Sequence, residues 1–288
     1  MKFVFRSVPI VVTFAIVLSS AASAGSGALK FPVYEGTIIP IEVPFQPEFR
    51  PHRTVMEFEM DLEMKAGRDK AEMEMEVKTE QAVRRSGDKL EWTSDIREMK
   101  LEGKRFKSST PLMTARWITG AGGSIEGFEM AFPGFQEKGG SSGFTSPQKG
   151  SPEYESALKQ FGANSKLPEG PVTSGSVLFT QELGDLLEEG LPGIDPAALQ
   201  REVKTMVKGW GYYRDRKVLV AAQVFDAPAA AAGADRLSIT LSGYSLFDVD
   251  TFAKLKSELV IVMSGVAEGQ QVHMVMRGTG EGELVDTK

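Results

Sequence analysis

The residue types in this 288-residue chain that could carry chemistry are methionines, carboxylates and two histidines. There is no Cys, which excludes disulfides, thiolate zinc sites, cysteine nucleophiles, iron–sulfur clusters and a lipid-anchored Cys. His52 lies in a Pro-flanked extended segment, and His273 sits in the alternating run Val272-His273-Met274-Val275-Met276. A structural role suits both better than catalysis. No P-loop, H-E-x-x-H or G-x-G-x-x-G signature occurs, so catalytic chemistry would need groups brought together from distant positions.

The methionines form a pattern. Met56, Met60, Met64, Met73 and Met75 share one face of two predicted strands, with Met99 nearby. Thioether side chains are flexible and polarizable and suit a surface that accepts varied apolar shapes. The candidate ligand-binding residues are therefore Met56, Phe58, Met60, Leu62, Met73, Met75 and Trp92. The plainer reading of the stripe is ordinary core beneath a sheet. A Cu(I) thioether site is a third reading, without His or Cys to support it. The opposite face carries Glu57, Glu59, Asp61, Glu63, Glu72, Glu74 and Glu76. Carboxylates collect Ca²⁺ when a loop wraps the ion; a flat strand face reads instead as a solvated surface that keeps a sheet soluble. No cofactor or metal is expected. Trp210, Tyr212 and Tyr213, beside Gly209 and Gly211, make either a recognition edge or the cover of a sheet end.

These side chains must be positioned by strands. From Met56 to Met64 every even residue is apolar and every odd one acidic, the period of a half-buried strand. Ala71, Met73, Met75 and Val77 repeat the pattern with odd residues inward. Gly67-Arg68 suits a type II′ turn between the two runs. That turn sets Leu62 opposite Met73, Met60 opposite Met75 and Phe58 opposite Val77. The same register opposes Glu63 to Glu72, Asp61 to Glu74 and Glu59 to Glu76, which is unfavourable in a sheet. In the next strand Leu90, Trp92 and Ile96 share one parity, but Met99 and Leu101 the other. A β-bulge near Arg97-Glu98 accounts for the switch. Residues 112–119 and 124–132 read as a further hairpin.

Helical signals cluster in the middle. Ser151-Pro152-Glu153 is a helix start, with Tyr154, Ala157, Leu158 and Phe161 on one face. A second helix is expected over Thr180 to Glu189. Residues 195–208 admit two readings: Asp195-Pro196 caps a helix with Leu199, Val203 and Met206 at helical spacing, or, since Val203, Thr205 and Val207 alternate, a helical turn leads into a strand that turns over Gly209 to Arg216 and pairs with Val218 to Phe225. Strands over Leu237 to Phe247, Phe252 to Met263 and Gln271 to Arg277 follow, with turn chemistry in Asp248-Val249-Asp250-Thr251. The expected fold class is α+β: a mostly antiparallel, strongly curved, half-barrel-like sheet with a few short helices mid-chain.

The stretch Tyr244-Ser245-Leu246-Phe247-Asp248-Val249-Asp250-Thr251 and the strand after it are similar to a turn in exported bacterial half-barrel proteins. That group includes periplasmic lipoprotein carriers. The Met- and Glu-rich opening resembles an uncharacterised family of exported bacterial proteins. The resemblance covers strand order rather than a motif. It implies a curved sheet that wraps a helix and encloses an apolar cavity, and it carries over no functional residue.

Residues 1–24 read as a signal peptide: Lys2 and Arg6, an apolar run over Val8 to Leu18, then Ala22-Ser23-Ala24 before Gly25. The apolar run is too short to span a bilayer. Losing these two cations takes the formal charge from −6 to −8. An acidic chain without a basic patch is a poor nucleic-acid binder. The remaining divisions are a Pro-rich extended lead-in (25–52) with a short strand near Thr37 to Glu42, a β-meander (53–132) and a Gly-rich loop (133–150). Residues 151–288 hold the helical patch and a second meander, either continuous with 53–132 or separate. The expected function is a non-catalytic periplasmic or secreted binding protein, not membrane-spanning after cleavage, holding an apolar small molecule or an envelope-protein segment. The alternatives are an assembly protein that buries the same face against a partner chain and, more remotely, a hydrolase.

Overall fold

The computed structural model describes residues 30–120, 125–136, 147–151, 154–155, 157–158, 161, 167–168, 170–182, 202–227, 236–267 and 270–285. They build one antiparallel sheet from twelve strands. In chain order these are β1 (His52–Ala66), β2 (Asp69–Ser86), β3 (Lys89–Leu101), β4 (Lys104–Lys107), β5 (Met113–Thr119), β6 (Ile125–Ala131), β7 (Val177–Glu182), β8 (Glu202–Tyr213), β9 (Arg216–Ala227), β10 (Arg236–Asp248), β11 (Lys254–Ala267) and β12 (Gln270–Val285). The spatial order is β6-β5-β3-β2-β1-β12-β11-β10-β9-β8-β7, with β4 beside β3. The sheet is open, ending at β6 and β7. The two meanders share it because the first and last strands pair along their length, from Arg53↔Val285 to Ala66↔Val272.

The first hairpin follows from the pattern of its residues. Gly67 turns at φ +59°, and Leu62↔Met73, Met60↔Met75 and Phe58↔Val77 pair as the alternation requires. The opposed acids are present too, at Glu63↔Glu72, Asp61↔Glu74 and Glu59↔Glu76. Neighbouring cations offset them: Arg277 Nη1 lies 2.7 Å from Glu63, Lys100 Nζ 2.5 Å from Glu76 and Lys78 Nζ 2.5 Å from Glu57. Arg97 is the extra residue of a bulge, since Lys78 pairs with Glu98 and Thr79 with Ile96. Ile96 and Met99 are consequently both buried.

Several expectations are corrected. Among the described residues the one helix defined from end to end is α1 (Pro133–Gln136), four residues long. Of the segment 151–162, Tyr154, Glu155, Ala157, Leu158 and Phe161 are described with helical backbone, and Ser151 Oγ accepts the Tyr154 N–H at 3.2 Å. The α+β expectation therefore gives way to a sheet protein: β-bulges and long hairpins, rather than packed helices, organise the core. The helix expected over Thr180 to Glu189 is strand up to Glu182; its remainder lies outside the described residues, as do 195–201. The turn expected over Gly209 to Arg216 is confined to Arg214-Asp215, both at positive φ (47° and 62°), and Gly209 to Tyr213 continue β8.

That continuation has a cause in the lead-in, which straps the sheet. Tyr34 lies on the convex face, 6.0 Å from the Tyr244 ring, and its hydroxyl bridges the Tyr212 backbone. Ile39 then pairs with Trp210 through two 2.8 Å backbone bonds. Phe45 pairs with Val172, and Phe49 enters the concave core against Trp92 and Phe252. Gly209 and Gly211 admit this strap; a Cβ on Gly209 would stand 2.4 Å from the Ile39 carbonyl oxygen. The consecutive buried residues Val218 to Ala221 read as a strand covered on both faces. Leu219 and Ala221 join the main core, while Val218 and Val220 join a smaller cluster with Tyr244, Leu246, Leu255 and Tyr34.

Candidate functional site

The concave face closes around a cavity of about 80 Å³, partly open to solvent. Trp117 of β5 and Phe179 of β7 both line it, although their strands lie toward opposite ends of the sheet order. Only a strongly curved sheet brings them together. Bulges at Arg97, Lys208 and Leu255 add local bend and twist.

Eight aromatic rings line the cavity: Phe49, Phe58, Trp92, Trp117, Phe161, Phe179, Phe247 and Phe252. Trp92 and Trp117 stack at 5.6 Å, and Phe247 and Phe252 at 5.0 Å. Phe49 sits edge-on to Trp92 at 4.7 Å. Phe252 holds its place at φ +58°, the left-handed region, which is strained for a bulky side chain. The turn before it supplies the constraint. Asp248, buried in that turn, accepts the backbone N–H groups of Asp250 and Thr251 and the Thr251 hydroxyl, with Arg216 3.4 Å from its other oxygen. The Phe252 N–H returns to the Asp248 carbonyl at 2.9 Å.

Polar groups interrupt this apolar lining. Trp92 Nε1 donates to Thr119 Oγ1 at 3.0 Å, but Trp117 Nε1 and Thr79 Oγ1 are buried with no partner among the described residues. A buried unmade hydrogen bond costs about 1–3 kcal/mol, so each such atom calls for an explanation. His52 is buried and donates from Nδ1 to the Arg50 carbonyl at 2.7 Å. Burial pulls its pKa down, opposed by that carbonyl and by Asp248. Lys254 is half-buried on the cavity wall, and desolvation pushes its ammonium down to about 8.

The residues expected to bind ligand divide. Met56, Phe58 and Trp92 line the cavity. Met60 and Met75 are buried in the surrounding core, and Leu62 and Met73 are half-buried. Leu62, Met73 and Met75 border a separate groove with the outer-face acids and Arg277. The Met stripe is thus largely core, and the aromatic end of the same face forms the cavity. Among the described residues no three His, Asp or Glu side chains are grouped to hold a metal ion. Trp210 is half-buried against Phe45 at 4.9 Å, with Lys217 Nζ 4.4 Å from its ring centroid, while Tyr212 is 61% exposed. His273 faces outward and shares a 2.7 Å hydrogen bond with Ser264 Oγ; no carboxylate among the described residues is seen to bond the imidazole.

Lys254, Thr79, Trp117 and Phe252 do not stand out in the sequence. Trp117 carries an alternation signal, since Met113, Ala115 and Trp117 share one buried face. Lys254 carries a misleading one, because it has the parity of the outward Lys256 and Glu258. Among the described residues, no helix is long and apolar enough to cross a membrane. Compared with known proteins, the chain matches no family model and no curated protein.

Proposed function

We propose that this chain is an exported, non-catalytic binding protein of the cell envelope, holding an apolar ligand in the concave face of its sheet. The observation that carries the reading is the aromatic cavity: eight rings around a space that the core does not fill, with buried polar atoms left unmatched beside it. Concave, mostly apolar sites with a few placed polar groups are the usual form of small-molecule sites. The short positive-apolar-A-x-A leader supports export, with the periplasm as the proposed compartment and secretion as the alternative.

A second reading rests on a different observation. The strap exposes Val33 (73%), Val43 (80%) and Ile39 (48%) close to the β7–β8 end of the sheet, where Val177 and Met206 are also exposed. An assembly protein would bury this region against a partner chain. Native purification followed by mass spectrometry and light scattering separates the two. A monomer carrying a co-purified lipid or acyl compound supports the first reading. A stable ligand-free oligomer supports the second. A ligand-free monomer that binds no fluorescent apolar probe overturns both.

A further inference from the structure

One cavity residue is placed against the pattern of its own strand. Lys254 opens β11, where Lys256 and Glu258 point outward and Leu259, Ile261 and Met263 pack into the main core. Strict alternation would set Lys254 outside with Lys256. It does not, because Leu246 pairs with Lys256 and Phe247 with Lys254, leaving Leu255 as the extra residue. Leu255 is buried in the convex cluster, and Lys254 is returned to the concave face with its Nζ 5.9 Å from the centre of the Phe247 ring. Bulges often re-aim a side chain beside a functional site.

Among the described residues the re-aimed ammonium has no counter-ion. Lys256, two residues on, lies 3.0 Å from Glu258 and 3.8 Å from Glu281; no carboxylate among the described residues pairs with Lys254, and none lines the cavity. Desolvation with nothing opposing it agrees with this geometry. His52 adds no positive charge at neutral pH. Thr79 Oγ1 and Trp117 Nε1 are two further groups able to donate, both in residues at least nine-tenths buried and both without partners. Among the described residues the cavity therefore offers an unpaired ammonium, hydroxyl and indole N–H inside an aromatic wall, and no acid.

We infer that the ligand is an apolar monocarboxylate, whose carboxylate pairs with Lys254 and whose first carbons lie among Phe49, Trp92, Trp117 and Phe252. This rests on the apolar-ligand reading above and adds its head group. A cationic amphiphile would be repelled by Lys254, and a neutral one would leave the ammonium unpaired. The volume of about 80 Å³ accommodates a head and a short stretch of chain, the rest leaving by the open side. It is far below the roughly 300–1,000 Å³ of a pocket that encloses a drug-sized molecule.

The test compares octanoate, octanol and octyltrimethylammonium by Trp fluorescence and calorimetry on the delipidated protein at pH 7. Octanoate is expected to bind at least about tenfold tighter than octanol, the scale of a charge-assisted contact. Octyltrimethylammonium is expected to bind weakest. Lys254→Met should abolish the preference for octanoate while leaving octanol within about threefold, and Lys254→Arg should restore most of it. Equal binding of octanoate and octanol to the unmodified protein overturns the head-group assignment and leaves the apolar site standing. Binding of none of the three overturns both.

Discussion

Lys254 sits in a setting that opposes its charge, and stability should report this directly. Its pKa is pushed from 10.5 to about 8, so above pH 8 the folded protein has released a proton that the unfolded chain keeps up to 10.5. Unfolding then takes up protons, and stability rises with pH through that window. Between pH 7 and 9.5 the gain is about 2 kcal/mol, readable from urea midpoints. The raised pKa values of Tyr213 and Tyr244 act only above pH 10, outside the range. Lys254→Met should stabilise the protein at pH 7 by about 2–3 kcal/mol and flatten the pH slope. A destabilised variant with the slope intact would show that the ammonium is solvated rather than held against the aromatic wall. A stabilising change at a group proposed to bind ligand would be the familiar exchange of stability for function.

The outer face of the first hairpin offers a second test at the same scale. Glu59 faces Glu76 across the pair, and Glu76 already has Lys100. Glu59→Lys turns a repulsive cross-strand contact into an attractive one. The expected gain is about 0.5 kcal/mol, vanishing in 1 M salt because both groups are exposed. Thermal midpoints at low and high salt measure it.

Among the elements, the strap has the narrowest tolerance. It reaches the β8 edge only because two glycines leave room, and a Cβ on Gly209 would collide with the Ile39 carbonyl oxygen and the Ile38 side chain. Gly209→Ala is expected to cost about 1–3 kcal/mol and to loosen the strap ahead of the sheet. Hydrogen exchange at Ile39 and Trp210, which exchange two backbone bonds, should quicken before the β1–β2 amides do. Uniform quickening would show that strap and sheet open as one unit. Since Phe49 belongs to both the strap and the cavity wall, loosening the strap should also weaken binding of an apolar probe.

At the scale of the whole molecule, one open sheet from twelve strands predicts a far-UV circular dichroism spectrum dominated by strand. The proposal of export predicts that protein recovered from the envelope or medium begins at Gly25. N-terminal sequencing reads this directly, and a mature start at Met1 would refute export by this leader. Retention of the cavity residues in a monomer, rather than an oligomer, is the matching expectation of the ligand-binding reading.

The amino-acid sequence by itself determined the features written in local periods. Alternation from Met56 to Val77 and one turn glycine specify the first hairpin to the residue, because a one-residue slip would put every glutamate into the core. The parity break between Ile96 and Met99 locates the Arg97 bulge for the same reason. Tertiary structure decided what depends on partners distant in the chain. Gly209 to Tyr213 look like a turn until Ile39 and Tyr34 arrive to pair with them. Thr180 to Glu182, helical by local pattern, join β8 as strand. The cavity is assembled from the strap, from strands toward both ends of the sheet order and from Phe161, so no window of sequence contains it. Lys254 shows the limit most plainly: its spacing assigns it to the outer face, and a single bulged residue against β10 turns it inward. Side-chain parity is a local property of a strand, but where that parity resets depends on the strand beside it.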